Sequence, residues 1–172
     1  GGNRVGKRAP VLKKQRELEE RGERRAEKQR EKLRDQYEGG AGGGEPTPLF
    51  GASQRPASVG ATVWRNLLAD YTGRLYPVNP KYTELDGVKA YAKVKSLPEA
   101  PDLAVICTPA ATVAPLIQQL GERGTRAAIV ITAGMDKAQK QAMLDAAKVH
   151  TLRILGPNCI GMLAPHLGLN AS

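Results

Sequence analysis

Aromatic residues are scarce in this chain, with one Phe, one Trp and five Tyr among 172 residues. That leaves little surface on which bases could stack. The formal charge of +9 is spread over both halves rather than gathered on one face, so specific nucleic-acid binding is not expected. Cysteine is nearly absent too. Cys107 and Cys159 lie in apolar runs without CxxC or metal-ligand spacing, which argues against a disulfide framework or a metal centre. Both read as small buried hydrophobes in a reducing, cytoplasmic setting. His150 and His166 are the two histidines, and neither stands at a recognisable triad spacing, so no catalytic role is assigned to them. No apolar run approaches the ~20 residues of a membrane span, and the first residues lack the apolar core of a signal peptide.

What is there falls into two parts. Residues 1–38 interleave Lys, Arg and Glu with scattered apolar positions, Gly22 interrupts the pattern, and no apolar heptad persists. A charged N-terminal extension, helical or disordered, is expected there rather than a coiled coil. Gly39-Gly40-Ala41-Gly42-Gly43-Gly44 reads as a flexible linker. The expected division is therefore an extension over 1–45, natural or foreign in origin, and one domain over 46–172.

Within that domain short apolar runs alternate with amphipathic stretches. Residues 49–50, 74–78, 102–107, 127–132 and 152–155 read as strands, with a small third element at 88–92. Residues 59–71 read as a helix with Val63, Trp64, Leu67 and Leu68 on one face, stopped by Gly73. Thr108-Pro109 opens another helix, with Thr108 or Thr112 as its cap, and residues 136–148 form a third. Strands this apolar need cover on both faces. The expectation is an α/β fold with a Rossmann-like, doubly wound parallel sheet.

In such sheets ligands lie beyond the carboxyl ends of the strands. The first strand end is Gly51-Ala52-Ser53-Gln54-Arg55-Pro56-Ala57-Ser58-Val59-Gly60, with glycines that permit close approach, two serine hydroxyls, the Arg55 charge and a following helix N-terminus. It reads as a phosphate cradle. After the second strand comes Asn79-Pro80-Lys81. A dinucleotide site would place a carboxylate near here to meet the ribose hydroxyls; Lys81 instead favours an extra phosphate, as coenzyme A or NADP would supply. Later strand ends carry Thr108-Pro109-Ala110, Thr132-Ala133-Gly134 and Gly156-Pro157-Asn158-Cys159.

The succession GASQRPASVG, YPVNPKY, VICTPAATV, VITAGM and GPNCIGM, over residues 49–172, closely resembles the CoA-binding domain of NDP-forming (ADP-forming) acyl-CoA synthetases, relatives of the succinyl-CoA synthetase α subunit. The resemblance implies coenzyme A as the cofactor. It implies that Gly51, Ser53, Arg55, Ser58 and Val59 contact its phosphates, with Lys81 near its nucleotide end. Thr108, Pro109 and Ala110 would line the adenosine or pantetheine region, and Thr132, Gly134, Pro157 and Asn158 would bring the thiol toward the reaction centre. Two departures are visible. The family's first strand is a longer apolar run, whereas here Pro46-Thr47-Pro48 leaves only Leu49-Phe50. Neither histidine matches the family's phosphorylated histidine, so the resemblance implies a module that positions the CoA thiol while the phosphohistidine domain and remaining synthetase parts are partners beyond this chain. Two further readings stay open: a non-catalytic CoA or acyl-CoA sensor in a fused acyltransferase, and an NADP-binding domain.

Overall fold

In the computed structural model, residues 13–25, 28, 45–71, 73–159, 163–164 and 169–170 are described. The Gly39–Gly44 linker, Ile160-Gly161-Met162 of the last motif and His166 lie outside them. The chain divides into two units, one ending at Gly40 and the other beginning at Ala41.

In the first unit residues 13–25 form a helix, α1, exposed along its whole length. It runs through Gly22, so that glycine does not interrupt it. Arg24 and Glu20 pair at 3.4 Å with both side chains mostly in water, a geometry worth only a few tenths of a kcal/mol.

The second unit is built on a parallel sheet in the order β2-β1-β5-β6-β7: β1 Thr47–Phe50, β2 Leu75–Val78, β5 Leu103–Ile106, β6 Ala127–Val130 and β7 Arg153–Leu155. Three helices connect these strands: α2 Val59–Asp70, α3 Ala110–Glu122 and α4 Lys137–Val149. Phe50, Ile106 and Val130 point to one face, where they share a core with Val113, Ile117 and Leu120 of α3 and Met143 and Ala147 of α4. Leu49, Val105 and Ile129, one residue earlier in each strand, point to the other, and the buried Val63, Trp64 and Leu67 of α2 lie outside the first core. The sheet is covered on both sides, the Rossmann-like arrangement the strand composition predicts.

The first strand corrects the sequence expectation. It has four residues, all buried, and is central, pairing with β2 along its whole length and with β5 at Leu49 and Phe50. Pro48 fits because of its edge. Thr47 and Gly51 donate to the β2 side, at Arg74 O and Val78 O. Alternation turns the nitrogen of position 48 toward β5, where pairing begins only at Leu49. The missing N–H therefore leaves no rung unfilled.

The small third element is a hairpin, β3 Glu84–Leu85 with β4 Val88–Lys89, turned by Asp86-Gly87 at φ 48° and 83°. It leads to a single 3-10 turn, Val94–Ser96, whose Val94 is fully buried. The cap of α3 is also corrected. Its N-cap is Pro109, with no side-chain cap, because the Thr112 hydroxyl donates to the Pro109 carbonyl and lies 2.8 Å from the Thr108 hydroxyl. In α4 the N-cap is Asp136, whose carboxylate accepts from Gln139 N while the Gln139 side-chain oxygen accepts from Asp136 N. A further two-residue pair, β8 Leu163–Ala164 with β9 Leu169–Asn170, ends the described chain.

Candidate functional site

The strand order reverses between β1 and β5, and there a cleft of about 730 Å³ opens at the carboxyl ends of β2, β1 and β5. Its first wall is the turn from β1 into α2. Gly51, at φ 85°, lies so close to β5 that a Cβ there would stand 2.9 Å from the Cys107 carbonyl oxygen. A Cβ on Gly60 would penetrate the carbonyl oxygen of Gly51. Both glycines of the fingerprint are thus demanded by the backbone's approach to itself, and the turn is folded tightly onto the sheet.

The serines are partly occupied. The Ser58 hydroxyl accepts from Ala61 N at 3.2 Å and donates to Arg55 O at 2.8 Å, which makes it the N-cap of α2. Ser53 Oγ accepts from Arg55 N at 2.9 Å and makes a long 3.4 Å contact with the Tyr82 hydroxyl. The amides of Val59 and Gly60, in the first turn of α2, have no hydrogen-bond partner among the described residues, and both residues line the cleft.

Asn79 joins the second wall to the first. Its Nδ2 donates to Ala52 O at 2.9 Å, and its Oδ1 accepts from Lys81 N at 3.0 Å. Asp86 adds a second tie, accepting from Gln54 Nε2 at 3.2 Å and from Trp64 Nε1 at 2.9 Å. The phenol of Tyr82 is held below the ordinary tyrosine range, chiefly by the Ser53 hydroxyl and the Gln54 backbone, with Lys81 and Arg55 adding to the effect.

Three cations line the cleft, Arg55, Lys81 and Lys93, and none of their side chains has an ion-pair or hydrogen-bond partner among the described residues. No Asp or Glu among the described residues lines it. The cleft is therefore an electropositive basin with free backbone donors at one end, suited to a ligand with several phosphates. The third wall is Cys107, Thr108 and Pro109, with Thr112, Leu116 and Gln119 of α3. Burial, with a smaller effect from Cys159, pushes the Cys107 thiol up to about 12, so it faces the cleft neutral and inert.

Of the residues singled out from sequence, Gly51, Ser53, Arg55, Ser58, Val59, Lys81, Thr108 and Pro109 meet in this cleft. Ala110, Thr132, Gly134, Pro157 and Asn158 do not line it. Thr132 is buried, with its hydroxyl donating to Thr108 O at 2.7 Å, so it braces the third wall from behind. Asn158, at φ 54°, donates its backbone N–H to Thr132 O at 2.9 Å and extends that brace to the end of β7. Sequence reading missed Tyr82 and Lys93 as cleft residues. Tyr82 adjoins Lys81 and could have been found; Lys93 had no signal of its own. His150 closes α4 and packs so tightly on Gly121 of α3 that a Cβ there would strike its ring.

The CoA binding domain family matches residues 47–165, beginning at the first residue of β1. This chain belongs to that family. The CoA-binding domain is 37% identical over 128 residues to acetate–CoA ligase [ADP-forming] of Methanocaldococcus jannaschii, covering 72% of this chain and 18% of that protein. It is 37% identical over 130 residues to the α subunit of acetate–CoA ligase [ADP-forming] II of Pyrococcus furiosus, covering 72% and 28%. Among solved structures it superposes at TM-score 0.71 and 35% identity on the dinucleotide forming acetyl-coenzyme A synthetase 1 of Ca. Korarchaeum cryptofilum, in complex with phosphate and ADP, over 74% of this chain and 29% of that one. The chain thus spans less than a third of the length of these three relatives, and corresponds to the α-subunit region of ADP-forming acyl-CoA synthetases. No helix among the described residues is long and apolar enough to cross a membrane, and no group of three or more potential metal ligands occurs among them.

Proposed function

We propose that this CoA-binding domain holds coenzyme A in the β2/β1/β5 cleft and orients its thiol for acyl transfer within a cytoplasmic NDP-forming acyl-CoA synthetase. The observation that carries this reading is the cleft's charge: among the described residues, three cations without a partner, two free amides at the α2 terminus and no lining carboxylate. A dinucleotide such as NAD would need an acid at the second strand end, where Lys81 stands. When bound, CoA supplies the nucleophilic thiol. The chain's own part is positional. The Gly51–Gly60 turn and Arg55 hold the diphosphate, Lys81 meets the nucleotide end, and Thr108 and Pro109 flank the pantetheine arm, with Ala110, beyond the cleft lining, where the arm leaves it. Thr132, Gly134, Pro157 and Asn158 shape the route by which the thiol leaves toward the remaining synthetase domains, in the same protein or a partner subunit.

Calorimetry on the full chain tests this. CoA binds, and Arg55→Ala and Lys81→Ala each weaken it by about tenfold or more, the ordinary worth of a charge-assisted hydrogen bond. A folded sample that binds NADP in preference to CoA, or binds neither, overturns the proposal.

A further inference from the structure

Lys93 is placed by the sheet edge. Tyr91 forms a parallel bridge with Val78, donates to Pro77 O at 2.9 Å, and accepts from Asn79 N at 2.9 Å. The strand end that carries Lys81 and the segment that carries Lys93 therefore leave the sheet side by side. Lys81 follows two residues after Asn79, and Lys93 two after Tyr91. Both line the same cleft, and neither side chain has a partner among the described residues.

The platform beneath Lys93 is firm. Its N–H donates to Ser96 Oγ at 3.2 Å and its carbonyl accepts from that hydroxyl at 2.7 Å. Val94 is fully buried. The Arg123 guanidinium, at the end of α3, donates to Val94 O at 2.7 Å and Leu97 O at 3.2 Å. Two unpartnered ammonium groups that line one cleft, one of them on so fixed a backbone, are matched by a dianion bound between them. The free amides and Arg55 at the α2 terminus already suit the monoanionic phosphates of a diphosphate. What remains for two lysines together is a phosphate carrying close to two charges, a terminal phosphomonoester.

We infer that Lys81 and Lys93 form a two-lysine clamp for the ribose phosphomonoester of CoA, and that Lys93 is the residue that makes this domain select CoA over its dephosphorylated form. The inference rests on the proposed function and sharpens it to one group of the ligand.

The test is calorimetric titration of the full chain with CoA and with 3′-dephospho-CoA at fixed ionic strength, using wild type, Lys93→Ala and Lys93→Arg. Wild type prefers CoA by about tenfold or more. Lys93→Ala loses most of that preference while its affinity for dephospho-CoA stays within about twofold, and Lys93→Arg, which keeps the charge, retains part of it. Lys93 is exposed, so circular dichroism of the variants should match wild type. Equal wild-type affinity for the two ligands overturns the clamp and leaves the proposed function standing. An equal loss for both ligands in Lys93→Ala does the same, since it would put the charge elsewhere along the ligand. If neither ligand binds wild type, both proposals fall.

Discussion

Single residues in the cleft carry charge and reactivity that their surroundings decide. Cys107 lines it, yet burial raises its thiol to about 12. At pH 8 the folded chain should then hold far less Cys107 thiolate than the unfolded chain, and alkylation by iodoacetamide should be at least about tenfold slower at this residue before denaturation than after it. Peptide mapping of the labelled protein checks this; fast labelling of Cys107 in folded protein would contradict it. At this scale the sequence was only partly legible. Lys81 could be read from its distance after the glycine fingerprint. Lys93 could not, because nothing local marks it: only the Val78–Tyr91 bridge, a pairing thirteen positions apart, brings it to Lys81.

Among the elements, α2 depends most on its first turn. Ser58→Ala removes the cap and should cost about 1 kcal/mol of stability, measured by chemical denaturation. Gly60→Ala is harsher. Its new methyl would enter the space of the Gly51 carbonyl oxygen, which the β1 turn cannot yield without disturbing Gly51 against Cys107. Overpacking of this kind costs about 1–3 kcal/mol, and the displaced turn should also lose CoA affinity, so both denaturation and calorimetry register it. Helix positions were legible because Val63, Trp64 and Leu67 repeat at helical spacing and all are buried. The first strand was misjudged for an equally physical reason. Proline's missing donor counts only on the side where a ladder runs, and which side that is depends on the register with β5, which no local pattern encodes.

For the whole molecule, the same thiol links stability to pH. Cys107's proton is held more tightly in the folded state than in the unfolded one, so its contribution is fully present below the unfolded thiol value of about 9. It is lost as pH rises from there toward about 12. Denaturation at pH 8 and pH 10.5 should show wild type losing more stability than Cys107→Ala over that interval. The doubly covered sheet was foreseeable from composition, since runs such as Leu103–Ile106 and Ala127–Val130 have no polar face to offer water. The extent of the cleft was not, because it depends on strand order. The ends of β2, β1 and β5 meet in it, while the residues after β6 and β7 stand behind them as braces.

Asn79 spans two loops with one side chain, reaching Ala52 O with its nitrogen and Lys81 N with its oxygen. A ligand arriving at the cleft meets walls already fastened to each other. Little disorder has to be removed on association, so encounter should be governed by diffusion and long-range attraction, with a rate that falls steeply as salt is added rather than one that waits on a rearrangement. Cutting that single amide tie, as in Asn79→Ala, should turn a fast, salt-controlled capture into a slower, two-step one.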